Sequence, residues 1–182
     1  MNPFWEVADF IRETRRRLRF GELSRSPLEL LRVEWHGGWV ECDWMARPAD
    51  VWDASLRRID RDRHVSEQAL RDGIQLREAL FSELPGVREA QLRGFRPAGA
   101  REPPELVIAG IVTRETAPLY RVNSLVMRAK LCGLQFDLED GVLKAMEGVE
   151  SAVSRPEGAG YGLTRNAVHL NEMTLQGQGG VS

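Results

Sequence analysis

Two adjacent glycines set among alternating residues constrain this chain more than any other feature. LLRVEWHGGWVECDW, residues 30–44, reads as a β-hairpin turning at Gly37-Gly38. Glycine reaches positive φ without steric cost, and two such residues fit a type I′ turn. The loop then sets His36 opposite Trp39, Trp35 opposite Val40, Glu34 opposite Glu41, Val33 opposite Cys42, Arg32 opposite Asp43 and Leu31 opposite Trp44. In this register one face is apolar and the other polar, and a slip of one residue would mix them.

The remaining elements follow from hydrophobic spacing. Phe4, Val7, Ala8, Ile11 and Leu18 predict an amphipathic helix over residues 4–20, ending before Gly21. Residues 51–63 read as a helical segment dense in charge, a solvated run with Trp52, Leu56 and Ile59 expected to face inward. Ser66 reads as the N-cap of a main core helix reaching Leu84, with Val65 and Leu70 as its hydrophobic staple. VREAQLRGFRP and ELVIAGIVTRE read as two strands, the second apolar enough to be covered on both faces and therefore expected at the centre of the sheet. A helix over 118–132 precedes Gly133, and Asp140-Gly141 predicts a second hairpin that pairs Leu138 with Leu143, Phe136 with Ala145 and Asp137 with Lys144.

The fold class expected is α+β: a single domain over residues 1–150, with a largely antiparallel sheet built from hairpins and helices mainly on one face. A polar, Gly-rich tail follows over 151–182, in which NAVHLNEMTLQ alternates enough to add an edge strand. A ferredoxin-like order can be drawn from strand 39–46, helix 66–84, strands 87–96 and 105–114, helix 118–132 and strand 134–138. In that drawing strand 30–36 competes with 134–138 for one neighbour. The alternation of elements also resembles the architecture of small secretion chaperones.

Composition narrows the function classes. With 25 basic and 27 acidic residues the formal charge is −2, so no global field draws in a polyanion. Nucleic-acid binding would need a local patch, for which Arg15, Arg16, Arg17 and Arg19 are the candidate, and it is the weakest of three readings. The acids at Glu6, Asp9 and Glu13 do not fit a secretory signal, and no stretch suits a membrane span. Cys42 and Cys132, far apart and without a CxxC partner, read as reduced thiols, and the expected location is cytoplasmic.

His36, His64 and His169 lie in separate segments, and nucleotide, dinucleotide, zincin and nucleophile-elbow motifs are absent from the sequence. No metal ligand set and no cofactor are expected. Cys42 with His64 could form a nucleophile and base, but the register puts Cys42 on the apolar face. The dense polar constellation is the outer hairpin face, where Glu34, His36, Trp39, Glu41 and Asp43 stand beside Arg32 and form the expected partner-binding surface. The leading expectation is a non-catalytic protein-interaction module or a subunit of a larger assembly, its partner another protein or a second copy of the chain. The alternative is a small enzyme or a metal- or small-molecule-binding domain in which Glu34 and Glu41 share a proton or an ion.

Overall fold

A computed structural model describes residues 3–99, 101–115 and 121–146. Helix α1 (Pro3–Arg17) leads into strands β1 (Glu29–His36) and β2 (Trp39–Met45). A 3-10 turn (Val51–Ser55) and helix α2 (Arg58–Glu83) come next, then strands β3 (Glu89–Arg96) and β4 (Glu105–Thr113), helix α3 (Leu125–Leu131), and the short strands β5 (Leu138–Glu139) and β6 (Val142–Leu143). The fold is α+β, with a four-stranded sheet in the order β1-β2-β3-β4. The β1–β2 and β3–β4 ladders are antiparallel, and β2–β3, joined through α2, is parallel. Among the described residues no helix is long and apolar enough to cross a membrane.

One face of the sheet is core. Val33, Val40, Cys42, Trp44, Ala90, Leu92, Ile108 and Val112 are buried with Val7, Phe10 and Ile11 of α1 and Leu70, Ile74 and Leu80 of α2. Trp44 is central to this packing. Its indole lies over two glycines: a Cβ on Gly94 would come within 2.6 Å of Trp44 Cζ2, and one on Gly73 within 3.4 Å. Those missing side chains let α2 approach the sheet across a large aromatic ring.

Buried polar groups tie the loops to this core. Arg47, just after β2, donates to both carboxylate oxygens of Asp72 at 2.9 and 3.0 Å and to the Ser26 carbonyl at 2.6 Å. Gln68 donates to Asp72 at 2.9 Å and accepts from the Leu23 amide at 2.7 Å. At the other end of α2, Arg114 donates to the carbonyls of Phe81, Leu84 and Val87, satisfying acceptors that the helix end leaves open.

Several sequence expectations change. Gly37 has φ 70°, whereas Gly38 is not in the positive region, so the turn has the type II′ pattern and not type I′. The register holds from His36–Trp39 to Arg32–Asp43, but a bulge brings Leu30, not Leu31, opposite Trp44. Asp140 and Gly141, at φ 52° and 82°, do form a type I′ turn, and Leu138 pairs with Leu143. Asp137 and Lys144 also pair as expected, the Lys144 amide donating to the Asp137 carbonyl at 3.0 Å, while the Lys144 ammonium reaches the Glu139 carboxylate at 2.8 Å.

Helix α2 starts well before Ser66. Pairs such as Arg57–Asp60 and Arg58–Asp62 accompany its charged first turns. Ser66 is mid-helix, donating to the Asp62 carbonyl and accepting from the Leu143 amide. Trp52, Leu56 and Ile59 are exposed, not inward-facing. Ser124 caps α3 by accepting from the Met127 amide, so that helix is shorter than 118–132, and residues 116–120 lie outside the described ones.

Strand β4 ends the sheet order and is not central. Its outer edge is closed where Ala109 exchanges both backbone hydrogen bonds with Gln135, at 3.0 and 2.7 Å. That bridge also removes the competition between strand 30–36 and residues 134–138, since the two flank opposite ends of the sheet. Because β2 and β3 are direct neighbours, the order is not the ferredoxin-like one, which splits the βαβ unit with an intervening strand. The expected tail at 151–182, including its alternating segment, lies outside the described residues.

The turn assignment is testable. A Cβ at Gly37 would meet nothing within 4 Å, so any cost there is purely that of backbone conformation. Gly37→Val is expected to destabilise by about 1–3 kcal/mol, and Gly38→Val by clearly less, in urea unfolding. Equal costs at the two positions would restore the type I′ assignment.

Candidate functional site

Strand alternation turns Arg32, Glu34 and His36 of β1 and Trp39, Glu41 and Asp43 of β2 away from the helices. The structure brings these residues together on one sheet face. Glu34 and Glu41 are cross-strand partners, and so are His36 and Trp39. Arg32 forms an ion pair with Glu41 and lies 3.2 Å from Glu34 Oε1, without donating an aligned hydrogen bond to it through Nε. His36 Nε2 stands 3.4 Å from Glu34 Oε2 and 3.9 Å from Glu41 Oε1.

Although Arg32 is opposite Asp43 in the register, the two side chains do not pair. Asp43 is nearly buried and takes a two-pronged contact from Arg93 of β3, at 2.8 and 2.6 Å. Sequence reasoning missed Arg93 because nothing in a local pattern reveals that β3 lies parallel to β2. Register then adds Glu89 beside Trp39, Gln91 beside Glu41 and Phe95 beside Met45 on the same face. Trp39 itself is partly buried.

One potential ligand atom each from Glu34, His36 and Glu41 lies within 4.8 Å of the others, a donor set that suits a borderline cation such as zinc. Arg32 already supplies positive charge to both carboxylates. The guanidinium therefore competes with any metal ion for the same oxygens.

The other sequence candidates separate. Cys42 is fully buried on the core face, and burial, with the Asp43 charge adding to it, pushes its thiol well above the ordinary range. His64 stands instead 3.2 Å from Asp53. In the arginine cluster Arg16 pairs with Glu13 and Arg17 with Glu83, so much of the positive charge is neutralised locally. His169 lies outside the described residues. A recess of about 410 Å³ between α3 and the second hairpin is lined by Lys130, Leu134, Gln135, Phe136, Asp137 and Met146, and sequence reasoning did not mark it as a site.

Compared with protein-family models, curated proteins and solved structures, the chain matches none.

If Arg32 competes with metal, its removal should create a better metal site. Arg32→Ala is expected to cost about 1 kcal/mol or less, because its partners are partly solvated. Zinc should then raise the melting temperature of that variant more than that of the wild type, by linkage. Equal shifts in the two proteins, or none in either, would contradict the competition.

Proposed function

We propose that the chain is a non-catalytic protein-interaction module or a subunit of a larger assembly, and that the outer face of the β1–β2 hairpin is a contact surface. The observation that carries this reading is the asymmetry of the sheet. Helices α1 and α2 pack on one face, while the other holds Trp39 beside the ordered pairs Arg32–Glu41 and Asp43–Arg93. A partly buried indole among charges already fixed by neighbours offers a partner apolar area and directional polar groups at low ordering cost.

The enzyme alternative has less support. Glu34 and Glu41 share Arg32, and Cys42 has no access to solvent. These features suit recognition better than proton transfer. The partner is another protein or a second copy of the chain. Cytoplasmic location remains part of the proposal.

Trp39→Ala and Glu41→Lys are expected to weaken association at least about tenfold, since truncated aromatic anchors and reversed charges each cost that much or more at an interface. Circular dichroism should be nearly unchanged, because neither residue belongs to the buried core. Analytical ultracentrifugation, alone and with partners recovered from native extract, supplies the measurement. Association insensitive to both substitutions would remove this face from the account.

A further inference from the structure

At the end of the molecule where β2 leaves the sheet, two arginines lie on aromatic rings that the fold leaves in solvent. Trp52 is 70% exposed and Phe20 61%, with Val51 80% exposed beside Trp52. The Arg25 guanidinium lies 5.4 Å from the Trp52 ring centre, and that of Arg19 lies 5.2 Å from the Phe20 ring centre. Neither Arg19 nor Arg25 forms a salt bridge with a described carboxylate. Of the nearby acids, Glu22 is engaged with Arg71, Asp53 with His64, and Asp60 with Arg57 and Arg63, while Asp50 takes the Arg25 amide and feels the charge of Arg25 without an ion pair to its guanidinium.

The segment carrying these groups is pinned. The Asp50 carboxylate accepts from the Arg25 amide at 2.8 Å and from the Trp52 amide at 3.2 Å, joining two loops. Those contacts, the Arg25 amide foremost, hold the Asp50 carboxyl below its usual range. Ser24 donates to the Pro48 carbonyl at 2.9 Å, the Gly21 amide donates to the Ser24 carbonyl at 2.8 Å, and Arg47 reaches the Arg19 carbonyl at 3.4 Å. Exposed aromatics on a fixed platform lose little freedom when a partner covers them, and tryptophan and arginine are favoured anchors at protein interfaces.

We infer that this platform is a second docking surface, and that its partner is a protein segment presenting carboxylates beside apolar side chains. The guanidiniums of Arg19 and Arg25 would receive the carboxylates, while Trp52, Val51 and Phe20 would take the apolar groups. The local charge argues for a protein over an anionic membrane. Arg57, Arg58, Arg63 and Arg71 are paired with Asp60, Asp62 and Glu22, and Asp50 stands beside Arg25, so the surface lacks the concentrated positive excess that draws proteins to acidic lipid. Two directed cation sites remain, and those suit a specific contact.

The test pans a random peptide display library against the full-length chain, then measures selected peptides by fluorescence anisotropy. The inference requires that enriched peptides combine Asp or Glu with apolar residues, and that Trp52→Ala and Arg25→Gln each weaken them at least about tenfold, as for an interface anchor. Both residues are exposed, so unchanged circular dichroism will show that the variants fold. Replacing the peptide acids with their amides should weaken binding similarly. Peptides that bind both variants as well as the wild type would overturn it, as would a panel without acidic bias. Peptides sensitive to Trp39→Ala but not to Trp52→Ala would overturn it while leaving the sheet-face proposal standing. Sedimentation with phosphatidylserine vesicles that depends on Trp52, without peptide enrichment, would assign the surface to lipid and also overturn it.

Discussion

The buried pair between Arg47 and Asp72 is the contact on which the arrangement depends. Both side chains are fully removed from solvent, so each charge requires the other. Burial, the largest influence, holds the Asp72 carboxyl above its ordinary value against the opposing pull of Arg47 and Gln68. Such a pair contributes little net stability compared with apolar residues of the same volume. What it supplies here is position. Arg47 marks the exit of β2, Asp72 a turn within α2, and the carbonyls of Ser26 and Arg19 the chain leaving α1. One guanidinium thus fixes a strand, a helix and a loop relative to one another.

Both proposed surfaces follow from that placement. With α2 held over the sheet, Trp44 packs against Gly73 and Gly94, and the helices cover the apolar face of the hairpin. Among the described residues, the charges of the hairpin's polar face pair with one another and with Arg93 of β3. Pairs with this much solvent access contribute little to stability, so their effect is to order a surface more than to hold the fold together. At the far end the same guanidinium anchors the loop that presents Phe20 and Arg25 beside Trp52.

The hairpin was legible because it is local: a glycine pair and strict alternation fix a register from neighbouring residues alone. Its bulge was not, since Leu30 and Leu31 are both apolar and either could face Trp44. Helix was expected on both sides of Ser66, but as two pieces, because Ser66 mimics a cap; α2 instead runs unbroken from Arg58 to Glu83, and Trp52, Leu56 and Ile59 are exposed. The apolar run in β4 correctly signalled burial on both faces, but not that the bridge to Gln135 closes its outer edge. In the site, the five hairpin residues could be grouped by parity. Arg93 could not be added, because its place depends on the parallel ladder that α2 creates. Glycines within a helix and within a strand were the available hint of the close approach at Trp44.

A double-mutant cycle at Arg47 and Asp72, followed by urea unfolding, tests the central claim most directly. Asp72→Asn alone and Arg47→Met alone should each cost about 3–5 kcal/mol, because each leaves the remaining partner buried without its counter-charge or its hydrogen bonds. Arg47→Met combined with Asp72→Asn should cost well below the sum of the two single substitutions, with a coupling energy of about 2–3 kcal/mol. Single substitutions below about 1 kcal/mol that simply add would contradict the account, showing that α2 is placed on the sheet without this pair.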